Sequence, residues 1–158
     1  MRHPSLILLS HDHHHGLALA LRCRKQALGR IKPLGIQGLK ERAAEVREFF
    51  RQNLKRHFKA EEEVLFPFLR GVVPQSHSLI DELLREHEQI RRWVQELEAE
   101  RNLAKLIFDG GDLLERHIRR EERELFLLFE KHVTQEEAER AKKEIEKILE
   151  RRGPSSSA

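Results

Sequence analysis

The chain has no tyrosine, one tryptophan, one methionine and one cysteine among its 158 residues. Each shortage removes a class of chemistry. Without tyrosine there is no tyrosyl radical. Cys23 alone cannot close an internal disulfide or form a paired redox or zinc-ribbon motif, so a reducing cytoplasm is the expected compartment. Long apolar runs are missing too. Leu6 to Leu9 is too short for a signal-peptide core or a bilayer span, so neither a targeting nor a membrane segment is expected. Charge of one sign is also lacking: 30 basic against 27 acidic residues leave a formal net charge of +3, interspersed along the chain, and no nucleic-acid partner is expected.

What is present is charge and histidine. Charged residues are 36% and hydrophobic ones 39%, the balance of a helix-rich domain, and the length suits one domain with its own core. Ten histidines make this the residue type in which to seek the chemistry.

Breakers fall in three places: Gly29 to Gly38 around Pro33 and Gly35, Gly71 to Ser76 around Pro74, and Asp109 to Asp112 around Gly110 and Gly111. The stretches between them read as helices over Ser10 to Leu28, Leu39 to Arg70, Gln75 to Phe108 and Asp112 to His132. Thr134 with Glu137 has the form of a capping box, opening a fifth helix over about 135–151 with Ala138, Ala141, Ile145, Ile148 and Leu149 as its stripe. The expectation is all-α: an up-down-up-down four-helix bundle with an additional C-terminal helix, one domain over 1–152, and a disordered tail over 153–158.

Each stripe is interrupted by ionisable residues. The second helix shows Val46, Phe50, Leu54, His57, Glu61, Val64 and Phe68 on one face, and the third Ile80, Leu83, His87, Ile90, Val94 and Leu97. The fourth shows Leu114, His117, Glu121, Leu125 and Leu128, and the first Ile7, His14, Leu17, Leu21 and Leu28.

Arg56 to Phe66 repeats as Arg116 to Phe126, an offset of 60 residues that sets His57 against His117 and Glu61 against Glu121. A weaker match sets Asp12 to Leu17 against Arg85 to Ile90, with His14 opposite His87. The bundle reads as a duplicated helical hairpin. Residues i and i+4 share a helix face, so each repeat offers an imidazole and a carboxylate inward. With His14 and His87 the core holds a mixed nitrogen and oxygen set suited to first-row transition metals. Two metals about 3.5 to 4 Å apart would use it fully. Metal-free, two facing carboxylates in an apolar core would be costly or protonated.

At these residues the sequence resembles the hemerythrin-like (HHE cation-binding) family over residues 5 to 132, and Leu65-Phe66-Pro67 is similar to the family pattern. The resemblance implies a four-helix bundle with two non-haem iron ions, ahead of zinc or manganese, joined by an oxo or hydroxo bridge. Carried over, the metal ligands are His14, His57, Glu61, His87, His117 and Glu121, with the two glutamates bridging. His11, His13 and His15 are adjacent candidates for the first helix; His14 is preferred because Leu17 and Leu21 continue its stripe. Glu62 and Glu122 read as outward partners, and a small helix rotation exchanges Glu122 with Glu121.

The chain departs from the oxygen carriers it resembles. Their third helix supplies two histidines one turn apart, where this chain has Leu83 or Arg91 four residues from His87. Their fourth-helix carboxylate lies five residues after its histidine, at Glu122 here. Fewer nitrogen ligands favour reaction with O2, peroxide or NO, or iron handling, over reversible carriage. A metal- and oxygen-binding protein is expected ahead of a dedicated enzyme, as monomer or homodimer, with a small diatomic molecule or peroxide as its ligand. The alternative is a metal-stabilised sensor or interaction module. The Glu-x-x-His pattern of ferritin-like sites is absent, and His87-Glu88-Gln89-Ile90-Arg91 lacks the second histidine of a zinc protease.

Overall fold

The computed structural model describes residues 2–150, which form five long helices and no strand. A short 3₁₀ turn at Pro4–Leu6 leads into α1 (Ile7–Ala27). Then follow α2 over residues 35–72, α3 (His77–Glu96), α4 over residues 103–132 and α5 (Gln135–Glu150). The first four make the expected up-down-up-down bundle, and α5 is the expected additional helix. Its start is the capping box foreseen: the Glu137 N–H donates to Thr134 Oγ1 at 3.2 Å while the Thr134 N–H donates to the Glu137 carboxylate at 3.0 Å. The tail expected at 153–158 lies outside the described residues. No described helix is long and apolar enough to cross a membrane.

The core divides into two apolar halves. One gathers Leu6, Leu9, Leu65, Phe66, Leu69, Leu83, Phe126 and Phe129, and α5 closes it with Ala138, Ala141 and Ile145. The other gathers Leu19, Cys23, Val46, Leu54, Phe58, Ile90, Trp93, Ile107, Leu114 and Ile118. The ionisable layer lies between them.

Two expectations are corrected. Asp109 to Asp112 is not a break: α4 begins at Leu103 and runs straight through it. The chain reverses earlier, where Glu100 (φ 52°) and Asn102 (φ 51°) both take the left-handed conformation. Gly110 and Gly111 serve close packing. A Cβ on Gly110 would fall inside the Trp93 indole, and one on Gly111 would meet the Cys23 Cβ at 2.9 Å and the Ala20 carbonyl at 3.1 Å.

The second correction concerns the buried face of α1. Ile7, Leu21 and Leu28 are exposed, while Leu9, His13, Gly16, Leu19, Ala20 and Cys23 are buried. The helix is turned by about one residue, roughly 100°, from the face its leucines suggest. Small residues decide this, because Gly16 lets Ile118 of α4 approach to 2.7 Å from where a Cβ would stand.

Cys23 lies fully buried in this contact, and burial pushes its thiol up to about 12. The thiol is therefore neutral at any ordinary pH, and the thiolate is the reactive form. A disulfide reagent at pH 8 should leave Cys23 unmodified in the native protein and titrate one thiol after denaturation, as absorbance of the released chromophore would show.

Candidate metal centre

Six side chains converge in the middle layer: His13 from α1, His57 and Glu61 from α2, His87 from α3, and His117 and Glu121 from α4. None is more than 3% exposed. Five were expected from the sequence. The sixth is a correction: His13 enters the cluster, and His14, the expected residue, faces solvent with His11 and His15. The cause is the rotation of α1 described above.

Local backbone helps to aim the glutamates. At Glu61–Leu65 and again at Glu121–Leu125 the helix widens into a π turn, closed by Phe66 N–H to Glu61 C=O and Phe126 N–H to Glu121 C=O. Such turns are often found at functional sites. The repeat of 60 residues thus extends to the backbone. The extra residue in each turn also shifts the apolar stripe by one, so Leu65, Phe66 and Leu69 are buried where Val64 and Phe68 were expected, and Phe129 where Leu128 was.

The donors sort into two sets that share both carboxylates. Around Glu61 Oε2 and Glu121 Oε1 stand His57 Nε2, 3.2 Å from the former, and His13 Nε2, 2.8 Å from the latter. Around Glu61 Oε1 and Glu121 Oε2 stand His87 Nε2, 3.0 Å from the former, and His117 Nε2, 3.4 Å from the latter. Within each set the ligand atoms lie inside 4.8 Å of one another. Each set offers two imidazole nitrogens and one oxygen from each glutamate.

Short as these contacts are, they do not have hydrogen-bond geometry. Both oxygens of Glu61, both of Glu121, and the Nε2 atoms of His87 and His117 are buried without a hydrogen-bond partner. His13 Nε2 and His57 Nε2 face each other at 3.1 Å. Buried polar atoms are nearly always satisfied, so this many orphans aimed at one place fit a pair of cations.

The outward nitrogens complete the design. His57 Nδ1 meets Asp12 at 3.1 Å, His87 Nδ1 meets Glu62 at 2.6 Å, His117 Nδ1 meets Glu86 at 2.8 Å, and His13 Nδ1 meets Glu122 at 2.6 Å. The pattern is a closed ring, in which α1 orients the histidine of α2, α2 that of α3, α3 that of α4, and α4 that of α1. A carboxylate on Nδ1 fixes the tautomer that leaves Nε2 free to bind a metal. Glu62, Glu86 and Glu122 are held in turn by Arg91, Arg120 and Arg2. Glu62 and Glu122 are thus the outer partners foreseen, and Asp12 and Glu86 were not foreseen.

Titration follows the same geometry. Burial opposes charge on His57, but Glu61 and Asp12 outweigh it and push this imidazole up to about 10. His13, His87 and His117 are likewise raised, against the cost of burial, by the glutamates they face. Glu121 is held well below the carboxylate range despite burial, by His117 and His13. A metal binding at these nitrogens would have to displace any proton held there.

A family profile described as the hemerythrin HHE cation binding domain matches residues 5–129. No curated protein and no solved structure matches the chain. That span holds all six converging side chains and runs from the start of α1 almost to the end of α4. The chain belongs to the hemerythrin HHE cation-binding family.

Proposed function

We propose that the chain is a non-haem di-iron protein that binds or reacts with a small diatomic molecule or peroxide. The observation that carries this reading is the sorting of six buried donors, with both oxygens of each glutamate and the Nε2 atoms of His87 and His117 unsatisfied, into two like sets sharing Glu61 and Glu121. Four donors per ion, nitrogen and oxygen in equal number, suit a first-row ion of higher coordination and leave positions for a small ligand. His13, His57, Glu61 and Glu121 would hold one ion, and His87, His117, Glu61 and Glu121 the other. Iron would supply the change of oxidation state and the affinity for O2, peroxide or NO.

The chain itself limits what reaches the centre. Phe58 stacks on His87 with ring centroids 3.8 Å apart, and Phe126 stacks on His13 at 5.4 Å. With these rings against the imidazoles and the six donors buried, the centre is closed to a bulky substrate, which leaves small molecules as the ligands that suit it. The same reading keeps the chain in the cytoplasm, where its single thiol stays reduced.

The test is metal content by mass spectrometry on untagged protein, with optical spectra under air and after addition of NO. We expect two irons per chain and absorption changes on ligand addition; zinc as the only bound metal under iron-replete growth would overturn the proposal.

The outer ring gives a graded prediction. Glu86→Ala removes the carboxylate behind His117 and should weaken the ion bound there by about 10–100-fold, the usual cost of losing such a partner. A competitive chelator titration should show one ion released early and the other retained.

A further inference from the structure

Outside the buried cluster, a second pair of histidines stands ready for a metal. His11 and His15 lie one turn apart on the solvent side of α1, and their Nε2 atoms approach to 3.3 Å. Their rings meet edge to face with centroids 4.8 Å apart. Both residues are exposed, and neither has another polar partner among the described residues. Two imidazoles free to swing into water have little reason to hold their nitrogens together unless one donates to the other or both address a third atom. Two nitrogens at the zinc–nitrogen distance on a tetrahedral ion are separated by roughly 3.3 Å, the same spacing.

We propose that His11 and His15 form a second, solvent-facing site for a nitrogen-preferring divalent ion such as Zn2+, separate from the buried centre. Imidazole favours zinc, nickel and copper over magnesium and calcium, which sets the ion class. Water completes the coordination, so this ion exchanges readily. The spacing of four residues lets the ion clamp one turn of α1. Its location has a further consequence, because His11 shares a recess of about 250 Å³ with Asp12, the carboxylate behind His57. An ion held by the pair would lie at the edge of this recess, since His15 lines the neighbouring one, and would use none of the six ligands of the buried centre. His14, although adjacent, has no hydrogen bond or ring contact with either member of the pair and takes no part.

The test is calorimetric titration of Zn2+ into the metal-loaded protein, beside His11→Ala/His15→Ala and His14→Ala. The wild type and His14→Ala should bind one Zn2+ per chain beyond the tightly held ions. The double variant should lose that event while keeping its tight ions and its melting temperature in the absence of zinc. Superimposable isotherms for wild type and double variant would overturn the proposal. So would equal loss in His14→Ala, which would mean diffuse capture by a histidine-rich surface, or loss of the tight ions in the double variant, which would make the pair part of the buried centre.

Discussion

If the centre holds two ions as proposed, Glu61→Ala should strip the protein of both, whereas His57→Ala should release one and leave the other. The difference follows from how the donors are shared. Glu61 faces the His13/His57 set with one oxygen and the His87 side with the other, at 3.2 Å from His57 and 3.0 Å from His87. Removing it takes one of four donors from each ion and the link that holds the two together. It also leaves four imidazoles facing a single carboxylate, so two like-charged ions would lie close with half their neutralising charge gone. His57 belongs to one set only, and its loss leaves His87, His117 and both glutamates in place. Metal per chain after gel filtration should fall from two to none in Glu61→Ala and to about one in His57→Ala. Circular dichroism would confirm that both variants remain folded. Two ions retained by Glu61→Ala would rule out the shared-carboxylate arrangement.

How far this centre could be read from the sequence depends on the helix. In α2 and α4 the apolar stripe is strong, the motif is repeated, and His57, Glu61 and His117 fall on it, with Glu121 preferred to its neighbour Glu122. His87 lies on an equally regular stripe. α1 is different because its buried face is built from Gly16, Ala20 and Cys23 while its leucines at 21 and 28 face water. Hydrophobicity therefore pointed about one residue off, to His14. A better signal was available in the acid that precedes the core histidine of α1 and of α3. Asp12-His13 matches Glu86-His87, and both acids orient a histidine on the next helix. Aligning on that pair selects His13 and names the two outer carboxylates that the stripe alone could not.

The helix boundaries failed at one place for a related reason. Glycine reads as a breaker because it is conformationally free, but its second property, the absence of a side chain, serves equally well inside a helix where another element must come close. Gly110 and Gly111 are of this second kind. The reversal between α3 and α4 uses Glu100 and Asn102 in the left-handed conformation. Asparagine takes that conformation fairly readily and glutamate seldom does, so the local sequence carried little sign of a turn. The overall plan was insensitive to this error, since shifting a boundary by several residues leaves four long helices and short connections.

Gly110→Ala should be among the most damaging single-methyl additions to this chain. The new Cβ would lie 1.7 Å from Trp93 Cε2 and 2.0 Å from Nε1, so the indole must move as a whole. It is not free to do so, because Nε1–H donates to the Leu106 carbonyl at 2.8 Å and the ring is only 5% exposed. Overpacking of this kind costs about 1–3 kcal/mol, and the depth of the overlap places this case near the upper end, beyond the roughly 0.5–1 kcal/mol that alanine gains over glycine in a helix. For a chain of this size each kcal/mol lowers Tm by about 2–4 °C, so thermal unfolding should shift down by several degrees. Gly71→Ala supplies the contrast. Gly71 lies in α2 with nothing within 4 Å of the position its Cβ would take, so the substitution should raise stability by up to about 1 kcal/mol. If the indole is the obstacle, Trp93→Ala should absorb most of the Gly110→Ala penalty. The double variant would then be more stable than the sum of the two single losses, and strict additivity would place the cost elsewhere.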